Sequence, residues 1–239
     1  MAQAPHASFS VHLDGQAALV TGAGADIGRA AALALGASGA AVVVNDLNPD
    51  RADRVAQEII DAGGKALAWD ADVANRFQVA SMIEAGRDAF GRLTLLVNAA
   101  GVYKVGPMAT LDEWDWRRVL DVNLTGAFFC SQLLSRVMAD EGGGAIVNVA
   151  SSAAGHSLPD GAAYVASKAG MLGLTRQSAR ELAPLGIRVN AICPAPLSGD
   201  EAADAALAEA CAGATLFLCS DGARLIAGQA IEISGAFRR

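Results

Sequence analysis

The chain has 239 residues, 53% hydrophobic and 18% charged, with 26 glycines and a formal net charge of −7. That length and apolar content suit one α/β domain with a buried core and speak against disorder. An acidic balance without a Lys/Arg cluster argues against nucleic-acid binding, Arg117-Arg118 and Arg238-Arg239 being the only adjacent basic pairs.

Residues 1–15 read as an N-terminal arm with Pro5, His6 and His12 and no clear period. No basic stretch precedes an apolar run there, so no signal peptide is expected. Residues 17–20 (AALV) read as a buried strand, followed by the turn TGAGADIG at 21–28 and an Ala/Leu helix over 29–35 that stops at Gly36 and Gly39. A second buried strand over 40–45 ends at Asp46. Strand, glycine turn, helix, strand and terminal acid, in that order, form the layout that binds a dinucleotide. Glycines let the backbone approach a pyrophosphate, and the helix N-terminus turns aligned N–H groups toward it.

A polar-faced helix over 50–62, closed by Gly63-Gly64, leads to a third strand at 65–69 and Asp70-Ala71-Asp72-Val73. A helix over 75–90 and a fourth strand over 93–97 run into Asn98-Ala99-Ala100-Gly101. The pattern then predicts one long helix over 111–138 with Asn123 near its middle, a fifth strand over 145–149, and Ala150-Ser151-Ser152. A helix over 161–183, a sixth strand over 187–192 ending at Cys193-Pro194, a helix over 203–219 and a last strand over 229–233 complete the chain. Alternating helices and continuously apolar strands predict a Rossmann-type, doubly wound parallel sheet of about seven strands in three α/β/α layers, one domain over residues 1–239. The longest uncharged apolar-rich run, 30–44, is too short and too broken by Gly36, Ser38 and Gly39 to cross a bilayer. Cys130, Cys193, Cys211 and Cys219 form no C-x-x-C and have no His at ligand spacing, so free thiols in a reducing cytoplasm and no metal are expected.

Tyr164 and Lys168 stand four residues apart, which puts both on one face of a helix. An ammonium beside a phenol favours the phenolate, lowers the Tyr pKa and makes the pair fit to exchange a proton with a carbonyl oxygen or an alcohol. Alone the pattern is short and unspecific. In this order, with the glycine turn, Asp46, Asn98-Ala99-Ala100-Gly101, Asn123 and the serine pair, the chain resembles the short-chain dehydrogenase/reductase family over nearly its whole length, in the single-domain branch of 3-oxoacyl-carrier-protein reductase-like and hydroxysteroid dehydrogenase-like members.

The resemblance implies an NAD(P)-dependent oxidoreductase interconverting a secondary alcohol and a ketone, a 3-oxoacyl thioester included, by hydride transfer. Tyr164 is then the general acid/base, and Lys168 holds the nicotinamide ribose and depresses the Tyr164 pKa. Asn123 anchors a relaying water. A serine hydroxyl bonds the substrate oxygen. Ser151 has the commoner spacing to Tyr164, but the second serine of such a pair usually acts, and Ser152 is preferred. The cofactor is expected against Gly22, Asp26, Ile27 and Gly28 in the turn, against Asp72 and Val73 at its adenine, and against Asn98 and Gly101 after the fourth strand. Tyr164, Lys168 and Pro194 would complete its site. Asp46, able to accept both ribose hydroxyls and to repel a 2′-phosphate, makes NAD(H) the expected cofactor and NADP the less favoured one. A homotetramer or homodimer, paired through the long helix and the Tyr164 helix, is implied as well.

Three departures stand out. Asp26 replaces a glycine of the turn, and is expected to point away from the phosphates and cap the following helix. No Thr follows Pro194, with Ser198 the candidate substitute. The substrate-lid segment at 195–210 is short, which suits a large or carrier-bound substrate. Asp26 and the short lid motivate the alternative of a nucleotide-binding sensor or structural subunit with little turnover. An extended-branch epimerase or dehydratase ranks below both. His156, Met108, Trp114 and Trp116 either border the substrate or only pack.

Overall fold

The computed structural model describes residues 11–196 and 198–234. The greater part of the N-terminal arm, with His6, and Leu197 of the lid segment therefore lie outside the described residues.

Seven strands, β1 (Ala17–Thr21), β2 (Ala41–Asp46), β3 (Lys65–Asp70), β4 (Leu95–Asn98), β5 (Gly144–Val149), β6 (Ile187–Pro194) and β7 (Ala230–Ile233), form one parallel sheet in the order β3-β2-β1-β4-β5-β6-β7. The strand order reverses between β1 and β4, so the crevice above their C-terminal ends is the topological switch point where such sheets bind ligands. Alternate strand residues feed two cores. Ala18, Val20, Val42, Val44, Leu95 and Val97 face one layer, built by α1 (Asp26–Ala37), α2 (Pro49–Asp61) and α7 (Glu201–Cys219). Leu19, Val43, Leu96 and Ile146 face the other, built largely by α3 (Arg76–Phe90) and α5 (Ala127–Asp140), with α6 (Ala162–Leu182) against β6. Covering on both faces is why these strands read as unbroken apolar runs.

Helix ends follow local chemistry. Asn48 caps α2 through Arg51 N with Pro49 in its first turn, and Asn75 caps α3 through Phe77 N and Gln78 N. Asp200 caps α7 through Ala202 N and Ala203 N. By length and composition α7 is the one described helix apolar enough to cross a membrane, but Ala208, Cys211, Ala212, Thr215 and Leu218 line its buried face and it packs along α1. All four cysteines are free and buried, and burial pushes the Cys130 and Cys219 thiols up to about 12.

The expected single helix over 111–138 is instead α4 (Glu113–Leu120), a π-helical segment (Asp121–Gly126) and α5. Hydrophobic period alone cannot register this insertion, since the rod stays helical. The π turn carries Asn123, in keeping with the habit of such turns to sit at functional sites.

Candidate functional site

A cleft of about 480 Å3 crosses the switch point from the glycine turn to Tyr164 and Lys168. Its floor is set by close backbone approach. Gly22 has φ +62, and a Cβ there would come within 2.6 Å of Ala100 Cα; a Cβ at Gly28 would run into the Gly22 carbonyl oxygen. Thr21 Oγ1 accepts from Ala99 N and Ala100 N, both at 3.2 Å, and so locks the end of β1 to the loop after β4. Backbone this bare, over the start of α1, is a cradle that a pyrophosphate fits.

At the end of β2 both Asp46 oxygens are held by backbone donors, Gly24 N at 3.1 Å and Asn48 N at 2.9 Å. Its carboxylate is thereby fixed on the cleft wall, where it retains lone pairs for a diol. Arg51, which the sequence reading passed over, lies beside it on the same wall. Ile27 and Val73 also line the cleft.

Asp26 corrects one expectation. It is exposed on the cleft with φ +48, in the left-handed region. Ala25 occupies the N-cap position and no side chain caps α1, so Asp26 stands in a glycine's conformation without serving as a cap.

Asn98 corrects another. It is 2% exposed, and its Nδ2 donates to Asn148 Oδ1 at 2.8 Å and Ser131 Oγ at 3.1 Å. Asn148 in turn donates to Thr175 Oγ1 at 2.8 Å. This buried polar chain ties β4 to β5, α5 and α6 beneath the cleft; its neighbours Ala99, Ala100 and Gly101 are the ones on the cleft surface. A strand-end Asn reads the same in sequence whether it points up or down.

Ser151 and Ser152 separate cleanly. Ser151 is buried, lines the cleft, accepts from Ala153 N at 3.1 Å and is the hydrogen-bond neighbour of the Tyr164 phenol. Ser152 starts the 3₁₀ turn Ser152–Gly155, with its carbonyl at 3.1 Å from His156 Nδ1. The preference for Ser152 is thus reversed: the strand end was a poorer guide than the spacing to Tyr164, because β5 ends at Val149 and the chain turns at once.

Tyr164 and Lys168 share a face of α6, but their electrostatics differ from expectation. Burial holds the Tyr164 phenol above its ordinary value, Ser151 opposing and Tyr103 adding to the rise. Lys168 Nζ donates to Val149 O at 2.7 Å and lies 5.7 Å from the Tyr164 ring centroid. Burial pushes its own pKa down to about 8. Burial outweighs any lowering of the Tyr164 pKa by Lys168, whose ammonium is turned to the strand end.

Asn123 is a clamp. Its Nδ2 donates to Val102 O and Ser167 Oγ, each at 3.0 Å, and its Oδ1 accepts from Val102 N at 2.8 Å. Ser167 Oγ passes the chain on to Tyr164 O at 2.7 Å. A Cβ at Gly101 would meet Asn123 Oδ1 and Lys168 Nζ at 3.5 and 3.7 Å, which places that glycine against the catalytic candidates. Pro194, Ala195 and Pro196 close the cleft after β6. Ser198 is not there: its N and Oγ donate to Asp204 Oδ1 at 2.7 and 2.9 Å on the exposed elbow into α7. Residues 195–200 alone connect β6 to α7.

His156 and Met108 are exposed, and Trp114 and Trp116 are largely so. None of the four lines the cleft among the described residues. Tyr103 and Arg118 do line it, and no motif announced them; Arg118 was visible only as half of a basic pair. Among the described residues no group of three or more His, Cys, Asp or Glu is placed to hold a metal.

Residues 16–209 match the family model described as short chain dehydrogenase. A 3-oxoacyl-[acyl-carrier-protein] reductase of a Synechocystis species is 43% identical over 189 residues, 79% of this chain and 76% of that protein. D-threitol dehydrogenase of Mycolicibacterium smegmatis is 36% identical over 254 aligned residues, 99% of this chain and 98% of that protein. The solved structure of a 7α-hydroxysteroid dehydrogenase complexed with NADH and 7-oxo glycochenodeoxycholic acid superposes with a TM-score of 0.88 at 33% identity, over 94% of this chain and 95% of the other. The fold, the cleft at its switch point and these likenesses together identify the chain as an oxidoreductase of the short-chain dehydrogenase family.

Proposed function

We propose that this protein interconverts a secondary alcohol and a ketone with NAD(H), Tyr164 serving as the acid/base. The observation that carries the reading is that Ser151, Tyr164 and Lys168 line the same cleft as the glycine turn and Asp46. When bound, the nicotinamide supplies or takes the hydride. The turn at Gly22, Ile27 and Gly28 would hold its pyrophosphate, Asp46 its adenosine ribose, Asp72 and Val73 its adenine, and Lys168, Gly101 and Pro194 its nicotinamide half.

In the reducing direction Tyr164 gives its phenolic proton to the substrate oxygen. A phenol held above its ordinary pKa is protonated at neutral pH and ready for that step. Ser151 donates to the same oxygen as negative charge gathers on it, in the manner of an oxyanion donor. Asn123 works through Val102 and Ser167 by fixing the two segments that flank the pair, and is a positioning residue. Lys168 keeps a buried ammonium within reach of the pair. Nearly bare of residues after β6, the substrate end suits a substrate whose bulk stays outside, and a 3-oxoacyl thioester falls in that class. We further read the chain as one domain of a cytoplasmic homotetramer or homodimer. Exposed Trp114, Trp116 and Phe128 on the α4–α5 rod supply apolar surface for a partner copy.

The test is NADH oxidation across a panel of ketones and 3-oxoacyl thioesters, repeated with Tyr164→Phe, Ser151→Ala and Ser152→Ala. Turnover should collapse with the first two, by about a hundredfold or more for the acid/base, and survive the third. NADH binding without turnover on any substrate would favour a sensor or structural subunit, the reading that Asp26 keeps in play.

A further inference from the structure

The ion pair Arg118–Asp72 has no part in the chemistry above, yet both residues line the cleft. Arg118 Nη1 donates to Asp72 Oδ2 at 2.8 Å, and the side chains retain only 26% and 27% of their exposure. The other Asp72 oxygen accepts from Ala74 N at 2.9 Å, and Asp72 N donates to Gln78 Oε1 at 2.7 Å. The carboxylate is thus anchored twice, by its own turn after β3 and by a guanidinium that reaches over from α4. Among the described residues Asp72 is the one hydrogen-bond partner of that guanidinium. Its remaining N–H groups have no hydrogen-bond partner among the described residues, on a wall shared with Val73 and Val122.

We propose that Arg118 is a cofactor-positioning residue: it fixes the Asp72 carboxylate and closes the adenine end of the cleft with a planar cation. The inference rests on the nicotinamide-dinucleotide reading. A guanidinium is planar and weakly hydrated, so it packs against the π-face of a base better than an ammonium does. A charge-assisted hydrogen bond on a partly desolvated carboxylate holds that carboxylate in one rotamer, which pre-orders a binding wall before the ligand arrives.

The competing reading is a staple of α4 to the end of β3 that serves folding alone. The two differ in which ligands feel its loss. A staple disturbs the whole cleft, whereas a positioning residue affects ligands that carry adenine. The experiment measures binding of NADH and ADP-ribose by calorimetry, and kcat/KM with NMNH as hydride donor, for the wild type, Arg118→Ala, Arg118→Lys and Asp72→Asn. Arg118→Ala should weaken NADH and ADP-ribose by about tenfold, the loss of roughly one charge-assisted hydrogen bond, and leave kcat/KM with NMNH unchanged. Arg118→Lys should recover part of the loss, and Asp72→Asn should reproduce it. Unchanged ADP-ribose affinity in Arg118→Ala, or an equal fall with NMNH, overturns the proposal. Should Arg118→Ala not fold, Arg118→Lys and Arg118→Gln are read by the same criterion. Wild-type protein that binds neither NADH nor ADP-ribose would sink the cofactor reading itself, an outcome distinct from tight binding by wild type and variant alike.

Discussion

Tyr103 stands edge-on to Tyr164, ring centroids 4.9 Å apart and planes at 87°. An aromatic pair in this geometry is worth about 0.5–1.5 kcal/mol beyond its buried area. Tyr103 belongs to the loop after β4, which is tied across to the loop before α6 by Gly106 N donating to Asp160 O at 2.9 Å. With so little chain after β6, Tyr103 is the aromatic wall beside the proposed acid/base, Tyr164. Tyr103→Phe should keep the ring contact and lose the phenol that helps hold the Tyr164 pKa up. The high-pH limb of ketone reduction should then move to lower pH with kcat at neutral pH preserved. Tyr103→Ala should lower kcat by about tenfold, roughly the value of the lost ring contact. A pH–rate series at saturating NADH checks both, and an unmoved limb in Tyr103→Phe would show that the two phenols do not interact.

Asp26 occupies φ +48, where a side chain is strained and a glycine is not. Its carboxylate is exposed on the cleft beside the turn that would take the pyrophosphate. Asp26→Gly should therefore tighten NADH binding, by about threefold to tenfold in dilute buffer, and the gain should shrink as salt is added, since exposed charges are screened. The melting temperature should change little, because relief of the left-handed strain is offset by the larger entropy of an unfolded glycine. Titrations at two ionic strengths decide it; equal affinity in both proteins would mean that the carboxylate points away from the ligand.

Much of this was legible in the sequence because it is written in periods and spacings. Alternating apolar runs gave the sheet, the turn over 21–28 and Asp46 gave the crevice, and Tyr164 with Lys168 gave the face of α6. What escaped depends on direction. Asn98 and Gly101 sit three residues apart, yet one side chain goes down into the Asn148–Thr175 chain and the other position lies against Lys168. Ser151 and Ser152 differ by the onset of a 3₁₀ turn. The π turn at Asn123 adds no change of hydrophobic pattern, and the ion pair of Arg118 with Asp72 spans strand and helix with no local signature. The Lys168 effect on Tyr164 was inferred from charge alone, whereas desolvation is the larger influence on each.

The proposed preference for NAD(H) rests on Asp46, which shares a wall of the cleft with Arg51. A fixed carboxylate repels a 2′-phosphate, while a guanidinium nearby would welcome one once that carboxylate is gone. Asp46→Ser should weaken NADH by about tenfold, the worth of roughly one charged hydrogen bond, and strengthen NADPH, reversing the preference. Adding Arg51→Ala should remove the NADPH gain. Paired NADH and NADPH titrations read this directly; a wild type that prefers NADPH would overturn the assignment of NAD(H).

Lys168 makes the stability of the fold depend on alkaline pH in a calculable direction. It is 4% exposed, and burial pushes its pKa from 10.5 down to about 8, with Cys193 opposing. Below about 8 the folded and unfolded chains both hold the proton, and the folded state carries the whole desolvation penalty, ~3 kcal/mol by the pKa difference. Between about 8 and 10.5 the unfolded chain binds the extra proton, so this group's contribution to stability rises with pH across that window. Lys168→Met removes the penalty but strands the Val149 carbonyl, which costs about 1–3 kcal/mol. Its advantage over the wild type at neutral pH is therefore small, and it should shrink and then reverse as pH climbs from 8 to 10. Urea unfolding of both proteins at pH 7, 8, 9 and 10, each also carrying Cys193→Ala because that thiol interacts with Lys168, measures the difference, in which the more distant thiols and phenols cancel. A constant difference over that range would mean that the buried ammonium keeps its ordinary affinity for the proton, and that Val149 alone compensates its burial.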